Sequence, residues 1–394
     1  MDRTHKHAVN RQFFGMDTTV ASLVHRLLPF GGRFANAFTL CLAAICLIWL
    51  PLAVCSYVTL STHEASELGH RLSFFRDWNI QFAFLVSFPC LLYLTCSDHS
   101  HLVTALLIVQ KDGTVQFQGD SGQVISRRWT QHFRRINLLA QWIAVVVGSV
   151  VAYFNYWVFS PKELGYWIAK NGVLLPEGYF YLLGLGLFYA VITLYVLRSI
   201  AITFLLADIV KSAQVHLLPM HPDKSAGLNP VGKLGLRNQY ALMVLGINLG
   251  LAILIASQYL PNSSALLALI VVATVTYCVL GPIVFVAPLL PFRNAMLATK
   301  SQLMAEVAQR LRKELQRLRG ELPQGTITQE DEDLVNRLRK MGEFLDELPV
   351  WPFDAATFRK FLTAYLAPLI STLGLPVFQV LFDYVLKNYN RHFN

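Results

Sequence analysis

Charge is what this sequence has least of. Only 14% of its 394 residues are Asp, Glu, Lys or Arg, whereas 54% are hydrophobic. Soluble domains carry about 25% charged residues, so the shortage excludes a soluble globular protein and a disordered chain. Catalytic signatures are missing as well. The sequence has no GxxxxGK[S/T] phosphate loop, no GxSxG elbow, no HExxH helix and no GxGxxG opening a helix, so it reads as a non-enzyme without a cofactor. The cysteines Cys41, Cys46, Cys55, Cys90, Cys96 and Cys278 fall in or beside apolar runs, with no CxxC and no loop pairs. That pattern indicates neither a disulfide framework nor a zinc site.

Long uncharged runs take the place of charge. A helix needs about 20 apolar residues to cross the hydrocarbon of a bilayer. Nothing alternates apolar and polar as a barrel strand would, so the spans must be helices. The expected fold class is an all-α polytopic membrane protein with six transmembrane helices, at about 35–60, 79–97, 136–161, 178–206, 238–260 and 264–292. The last two come from a charge-free stretch of 55 residues, Asn238 to Phe292, divided at Leu260-Pro261-Asn262-Ser263-Ser264. A seventh element, Phe361–Phe382, is uncharged for 22 residues but broken by Pro368, Gly374 and Pro376, so it either spans or re-enters. The domain layout is then 1–34 as an N-terminal segment, 35–292 as the six-helix domain, 293–350 as a helical hairpin and 351–394 as a C-terminal membrane-embedded element.

Lys and Arg set the orientation. The N-terminal segment, the second loop (Lys111, Arg127, Arg128, Arg134, Arg135) and the fourth (Lys211, Lys224, Lys233, Arg237) are basic, and the loops between them are poor in Lys and Arg. This alternation places the N-terminus in the cytoplasm, with Trp78, Trp157, Trp167, Tyr166 and Tyr179 as an interfacial belt on the other side. It also accounts for the net charge of +9. The basic residues flank helix ends and face anionic lipid, not nucleic acid.

Beyond Arg293 the pattern changes. Met304, Val307, Leu311, Leu315, Leu318 and Leu322 recur at helical spacing, as do Leu334, Leu338, Met341, Leu345 and Leu348. Thr328 with Asp331 reads as the cap of the second helix. The two helices form a cytoplasmic hairpin whose leucine seam suits a neighbouring helix or a second subunit. Trp351-Pro352-Phe353 is an apolar turn expected to dock the hairpin on the membrane domain. In the second loop, Lys111-Asp112-Gly113 lies between the β-prone runs 107–110 and 114–117, which predicts a β-hairpin.

Candidate functional residues are few. Polar side chains inside spans mark pathways because they are costly there. Asn155, Asn248, Gln258 and Arg198, the last with Asp208 as a nearby partner, are the pore or pathway candidates, together with the breaks at Pro368, Gly374 and Pro376. No Asp or Glu lies in the middle of the six spans, which weighs against a proton- or sodium-coupled transporter. Gly246 and Gly250 form a GxxxG close-packing face around Asn248. His216, His221 and Asp223, with Asp98, His99 and His101, offer metal-ligand types, but neither His pair has helical i, i+4 spacing and no metal is assigned.

The fourth loop holds the candidate functional string His221, Asp223 and Lys224 around Pro222. Its four residues resemble the tetrapeptide of J-domain cochaperones, but an apolar run precedes it and Gly227, Gly232 and Gly235 follow, where a J-domain has soluble helices. The longer string His221–Leu228 resembles a loop of uncharacterised bacterial inner-membrane proteins, a resemblance that implies a polytopic inner-membrane fold and no activity. The overall order resembles that of insect chemoreceptor channels, with six spans, a cytoplasmic helical layer and a last pore-forming span. That resemblance implies a homo-oligomeric channel or pore-like permease. The alternatives are a scaffold or sensor acting on a cytoplasmic protein partner through the hairpin, and an uncoupled carrier.

Overall fold

Helices dominate because the sequence is apolar in runs too long for anything else to satisfy its backbone. The computed structural model describes residues 33–62, 73–117, 121–159, 167–170, 173–218, 221–259, 264–321, 328–368 and 370. Helix α1 is Arg33–Thr62. Next come α2 (Trp78–Phe82), a π-helical segment Ala83–Ser87 and α3 (Phe88–Lys111), in unbroken succession. They are followed by α4 (Ser121–Phe159), α5 (Pro176–Ser212), α6 (Asn229–Tyr259) and α7 (Ser264–Val286). Helices α8 (Leu290–Glu321) and α9 (Gln329–Asp346) form the expected hairpin, and α10 covers 355–368. Five helices are long and apolar enough to cross a membrane, or six when α7 and α8, bent by 46° at their junction, count as one span. The fold is an all-α polytopic membrane protein.

Two glycines let α4 and α5 touch. A Cβ on Gly148 would stand 2.3 Å from the Gly186 carbonyl oxygen, so nothing larger fits this crossing. The other faces of α1, α4 and α7 are apolar and uncovered, with Leu47, Trp142 and Val272 all more than half exposed, as lipid contact requires.

Apolar burial divides into two cores along the helix axes. One gathers Ile48, Leu52, Phe84, Leu91, Tyr181, Leu185 and Phe188 within the spans. The other gathers Leu102, Leu205, Leu206, Leu228, Phe292, Val307 and Leu345 at the end of the bundle that carries the hairpin. At the far end, Asp77 is fully buried: it caps α2 through the Ile80 amide and accepts a bond from the Trp167 indole at 3.2 Å. Trp167 is therefore not a belt residue. It plugs the bundle against Phe74 and Tyr181, whereas Trp78, Trp157 and Tyr179 lie exposed as an interfacial ring would.

The β-hairpin expected at 107–117 is not formed. Residues 107–110 complete α3, because Leu102, Val103 and Val109 keep one helical face buried. Gly113, at φ 75°, ends that helix: its amide bonds the Gln110 carbonyl, and the Thr114 amide bonds the Val109 carbonyl. Asp-Gly here is a helix stop, not a strand turn. Strand β1 (Val115–Phe117) instead pairs antiparallel with β4 (Ala213–Val215), which follows α5, in the register Val115 to Val215. A second pair, β2 (Ala169–Lys170) with β3 (Val173–Leu174), lies at the far end.

The Trp351-Pro352-Phe353 turn docks as expected. It seats on α6, where a Cβ on Gly232 would stand 2.2 Å from the Pro352 oxygen. Arg293 stacks over Trp351 at 4.7 Å from the ring centroid, and Phe353 meets Phe285. Helix α10 then runs back against α6 and α7. Phe361 stacks on Phe285, Tyr365 stacks on Tyr277, and the Tyr365 hydroxyl donates to the Cys278 carbonyl at 2.8 Å. The C-terminal element thus begins inside the bundle, and its remainder, 371–382, lies outside the described residues.

Candidate functional site

Between the two apolar cores lies a layer of buried polar groups. Three helices change character at one level. On α3, Leu91 and Leu94 belong to one core and Leu102 to the other, with Asp98 between them. On α5 the break falls at Arg198, and on α6 at Arg237, Asn238 and Gln239. Arg237 Nη2 bonds the Leu94 carbonyl at 2.7 Å and the Ser97 hydroxyl at 2.5 Å, and stands 3.2 Å from Asp98 Oδ1. Arg198 Nη1 donates to the Thr95 carbonyl at 2.9 Å, while Nε and Nη2 fork the Asn137 oxygen at 3.1 and 2.8 Å. The Tyr195 hydroxyl donates to Asn238 at 2.8 Å.

Two arginines from different helices thus clamp a single turn of α3. The forked guanidinium suits this, because its fixed donors reach several acceptors at once. The clamp is not saturated: Asp98 Oδ2, Arg237 Nη1 and both amide ends of Gln239 are buried without a hydrogen-bond partner among the described residues. Each such atom costs about 1–3 kcal/mol, so this polar layer is weaker than the two apolar cores that it joins.

The pathway candidates separate in the structure. Arg198 is built into the clamp, and its expected partner Asp208 is wrong: ten residues along one helix is about 15 Å, and the acceptors are Thr95 and Asn137 instead. Asn248 donates at 3.1 Å to both the carbonyl and side-chain oxygens of Asn79 on α2, an interhelical tie. Gln81 makes a similar tie, accepting from Trp49 at 2.6 Å and donating to the Phe74 carbonyl at 3.0 Å. Asn155 turns back to the Val151 carbonyl of its own helix. Pro368 and Tyr277 pack against Gly246, the first glycine of the GxxxG pair. The Gln258 side chain, Gly374 and Pro376 lie outside the described residues.

The loop of His221, Asp223 and Lys224 is a tightly tied turn before α6. Asp223 Oδ1 accepts from the Ser225 and Gly227 amides, both at 3.0 Å, and Oδ2 accepts from the Asn229 amide at 3.1 Å. His221 Nδ1 lies 2.8 Å from the same carboxylate. This bonding holds Lys224 and Ala226 at φ 54° and 53°, conformations that side chains rarely adopt, and Gly227 at φ 90°. A Cβ at Gly227 would also press on Thr114 at 2.5 Å, so the loop rests on the start of β1. Arg237 follows about two turns into α6, so the clamp and the loop share that helix. Among the described residues no three of His, Cys, Asp and Glu gather to hold a metal.

Burial works against the charged form of Asp223, but the amide donors, with His221, outweigh it and hold the carboxyl below the usual range. The sign follows from linkage. A carboxyl with a depressed folded-state pKa stabilises fully above its unfolded value, about 3.9, and that stability is lost as pH falls through the lower folded value. The Asp223 contribution to the loop is therefore expected to stay constant from neutrality down to about 4 and to fall away below. Asp223→Ala removes the acceptor at every pH and costs about 1.5–3 kcal/mol. Amide hydrogen exchange at Ser225, Gly227 and Asn229 reads both effects, and unchanged protection in the variant would remove Asp223 from its tying role.

Sequence reasoning did not single out Asp77 or Glu177, and it took Asp98 only as a metal-ligand type and Arg237 only as a loop charge. Each borders an apolar window, where a charge is ordinarily taken to reach for water. Here Asp77, Asp98 and Glu177 are buried, Glu177 accepting from the Thr59 hydroxyl at 3.1 Å. The available signal was position: Arg237 directly precedes the 55-residue charge-free run. The chain matches no known family model, no curated protein and no solved structure.

Proposed function

We propose that the protein is a non-enzymatic membrane scaffold or sensor that works through its cytoplasmic helical hairpin, embedded in a bacterial inner membrane with its N-terminus in the cytoplasm. The observation that carries this reading is the mechanical continuity between spans and hairpin. Helix α7 passes into α8 through a single 46° bend. The hairpin base is closed by Lys300, whose ammonium donates to the Asp346 carbonyl at 2.5 Å. The Trp351 turn then returns the chain to α6 beside Gly232. A shift of α6 relative to α7 is transmitted to the hairpin through packed backbone, with no flexible linker between them. Two polar side chains that could line a pathway, Asn248 and Gln81, are meanwhile spent on helix–helix ties.

A homo-oligomeric channel is the second reading, favoured by one observation. Among the described residues α10 presents an exposed apolar stripe, Phe358, Leu362, Leu366 and Ile370, next to Pro368. The two readings differ in flux. Purified full-length protein in liposomes is expected to release entrapped potassium, chloride or a small fluorescent anion no faster than empty vesicles do. Conductance in planar bilayers, or solute release that scales with protein density, would overturn the scaffold reading.

A further inference from the structure

The apolar seam of the hairpin is covered at its base and open towards its tip. Near the bundle, Val307, Leu345 and Leu348 are buried in the core at the hairpin end. Further out, Leu315 on α8 is 50% exposed, and Leu334 and Met341 on α9 are 39% and 49% exposed. Two helices alone cannot enclose a stripe that continues past the body they rest on. A Cβ at Gly342 would meet nothing within 4 Å, so this face of α9 is open among the described residues.

Charge identifies what covers it. Near its end α8 carries Arg310, Arg312, Lys313, Arg317 and Arg319, with Glu314 among them and Glu321 last, whereas α9 begins Glu330, Asp331, Glu332, Asp333 and turns basic only further in, at Arg337, Arg339 and Lys340, so opposite signs face each other at the tip. Two contacts across the hairpin fix the levels: Lys300 with Asp346 near the base, and Arg317 with Asp331 near the tip. Counting from these, Leu315 stands level with Leu334, and Arg319 with Glu330. Two hairpins side by side in one membrane would repel if α8 met α8. At the tip they attract when Arg319 of each α8 meets Glu330 on α9 of the other, and a twofold axis along the membrane normal makes that contact twice.

We propose that the partner of the hairpin is a second copy of this chain. The pair forms a four-helix layer with Leu315 packed on Leu334 of the second copy, and Arg319 paired with its Glu330. This rests on the reading of the hairpin as the working surface and names its partner class. Burying the open leucines supplies the attraction, and the charges set which helices meet. The Arg317–Asp331 pair stays within each hairpin and keeps the tip closed.

The test uses full-length protein in lipid nanodiscs, sized by mass photometry. The wild type is expected to form dimers. Arg319→Glu turns both cross-pairs repulsive and should weaken the dimer about tenfold, the scale of a few surface charge contacts. Adding Glu330→Arg to the same chain should restore it, which a misfolded variant could not do. Differently tagged chains, one carrying Leu315→Cys and the other Leu334→Cys, should cross-link on mild oxidation well above the wild-type background. A monomeric wild type would overturn the proposal, as would a dimer indifferent to Arg319→Glu or an absence of the cross-link. The flux assay fails separately: dimers that leak would overturn the scaffold reading and leave the hairpin pairing standing.

Discussion

Arg237→Met is expected to destabilise the folded protein by about 3–5 kcal/mol, the cost of leaving a buried charge without its partner. The variant keeps most of the side-chain volume, so the loss is electrostatic and not a cavity. Asp98 would stay buried facing an alkyl chain, while the Leu94 carbonyl and the Ser97 hydroxyl each lose a donor. Water cannot easily replace that donor, since Asp98 is only 9% exposed. Combining Arg237→Met with Asp98→Asn removes the stranded charge and should recover about half of the loss or more, because the desolvation term dominates such pairs. Thermal unfolding in detergent, followed by loss of the monodisperse chromatographic peak, measures both variants. A single variant within about 1 kcal/mol of wild type would place Arg237 among ordinary surface charges.

Gly232→Val should separate the hairpin from the membrane domain while leaving the spans folded. The new Cβ would fall 2.2 Å from the Pro352 oxygen and 2.9 Å from the Phe353 Cβ, so backbone must move. Overpacking of this kind costs about 1–3 kcal/mol, paid where the turn meets α6. With Phe353 displaced, its contacts with Phe285 and Phe358 go too, and Arg293 loses its seat on Trp351. The expected readout is local: faster proteolysis and hydrogen exchange over 347–358, with span protection unchanged. Gly320→Ala is the control, since its added Cβ meets nothing within 4 Å. Equal protection of 347–358 in all three proteins would show that the turn does not bear on α6.

Much of the architecture was legible because lipid leaves few choices. Over their described residues, the windows at 35–60, 79–97 and 136–161 lie in helices. Even a cap was readable: the Thr328 hydroxyl and amide both bond Asp331 Oδ2, at 2.7 and 3.0 Å. Asp112-Gly113 was misread because Gly at positive φ serves a helix end as well as a strand turn. Only the buried face of Leu102, Val103 and Val109 decides between them, and that face exists only against α5 and α6. The candidate site was far less legible. Arg198 was visible as a charge inside an apolar run, but its acceptors, a carbonyl on α3 and an amide on α4, carry no sequence signal.

By itself the sequence determined the solvent of each segment. A chain with 14% charge, withheld from six long windows and concentrated in the hairpin, must place those windows in lipid and the hairpin in water, since neither could satisfy its polar groups otherwise. Which of the remaining charges would be buried was decided only by tertiary structure. Asp98, Arg198 and Arg237 are separated by 100 and 39 positions in the chain, and they meet because three helices cross at one level. Pairing between helices is set by side-chain fit and glycine contacts along whole faces. That fit is a property of the assembled bundle, and no window of the sequence contains it.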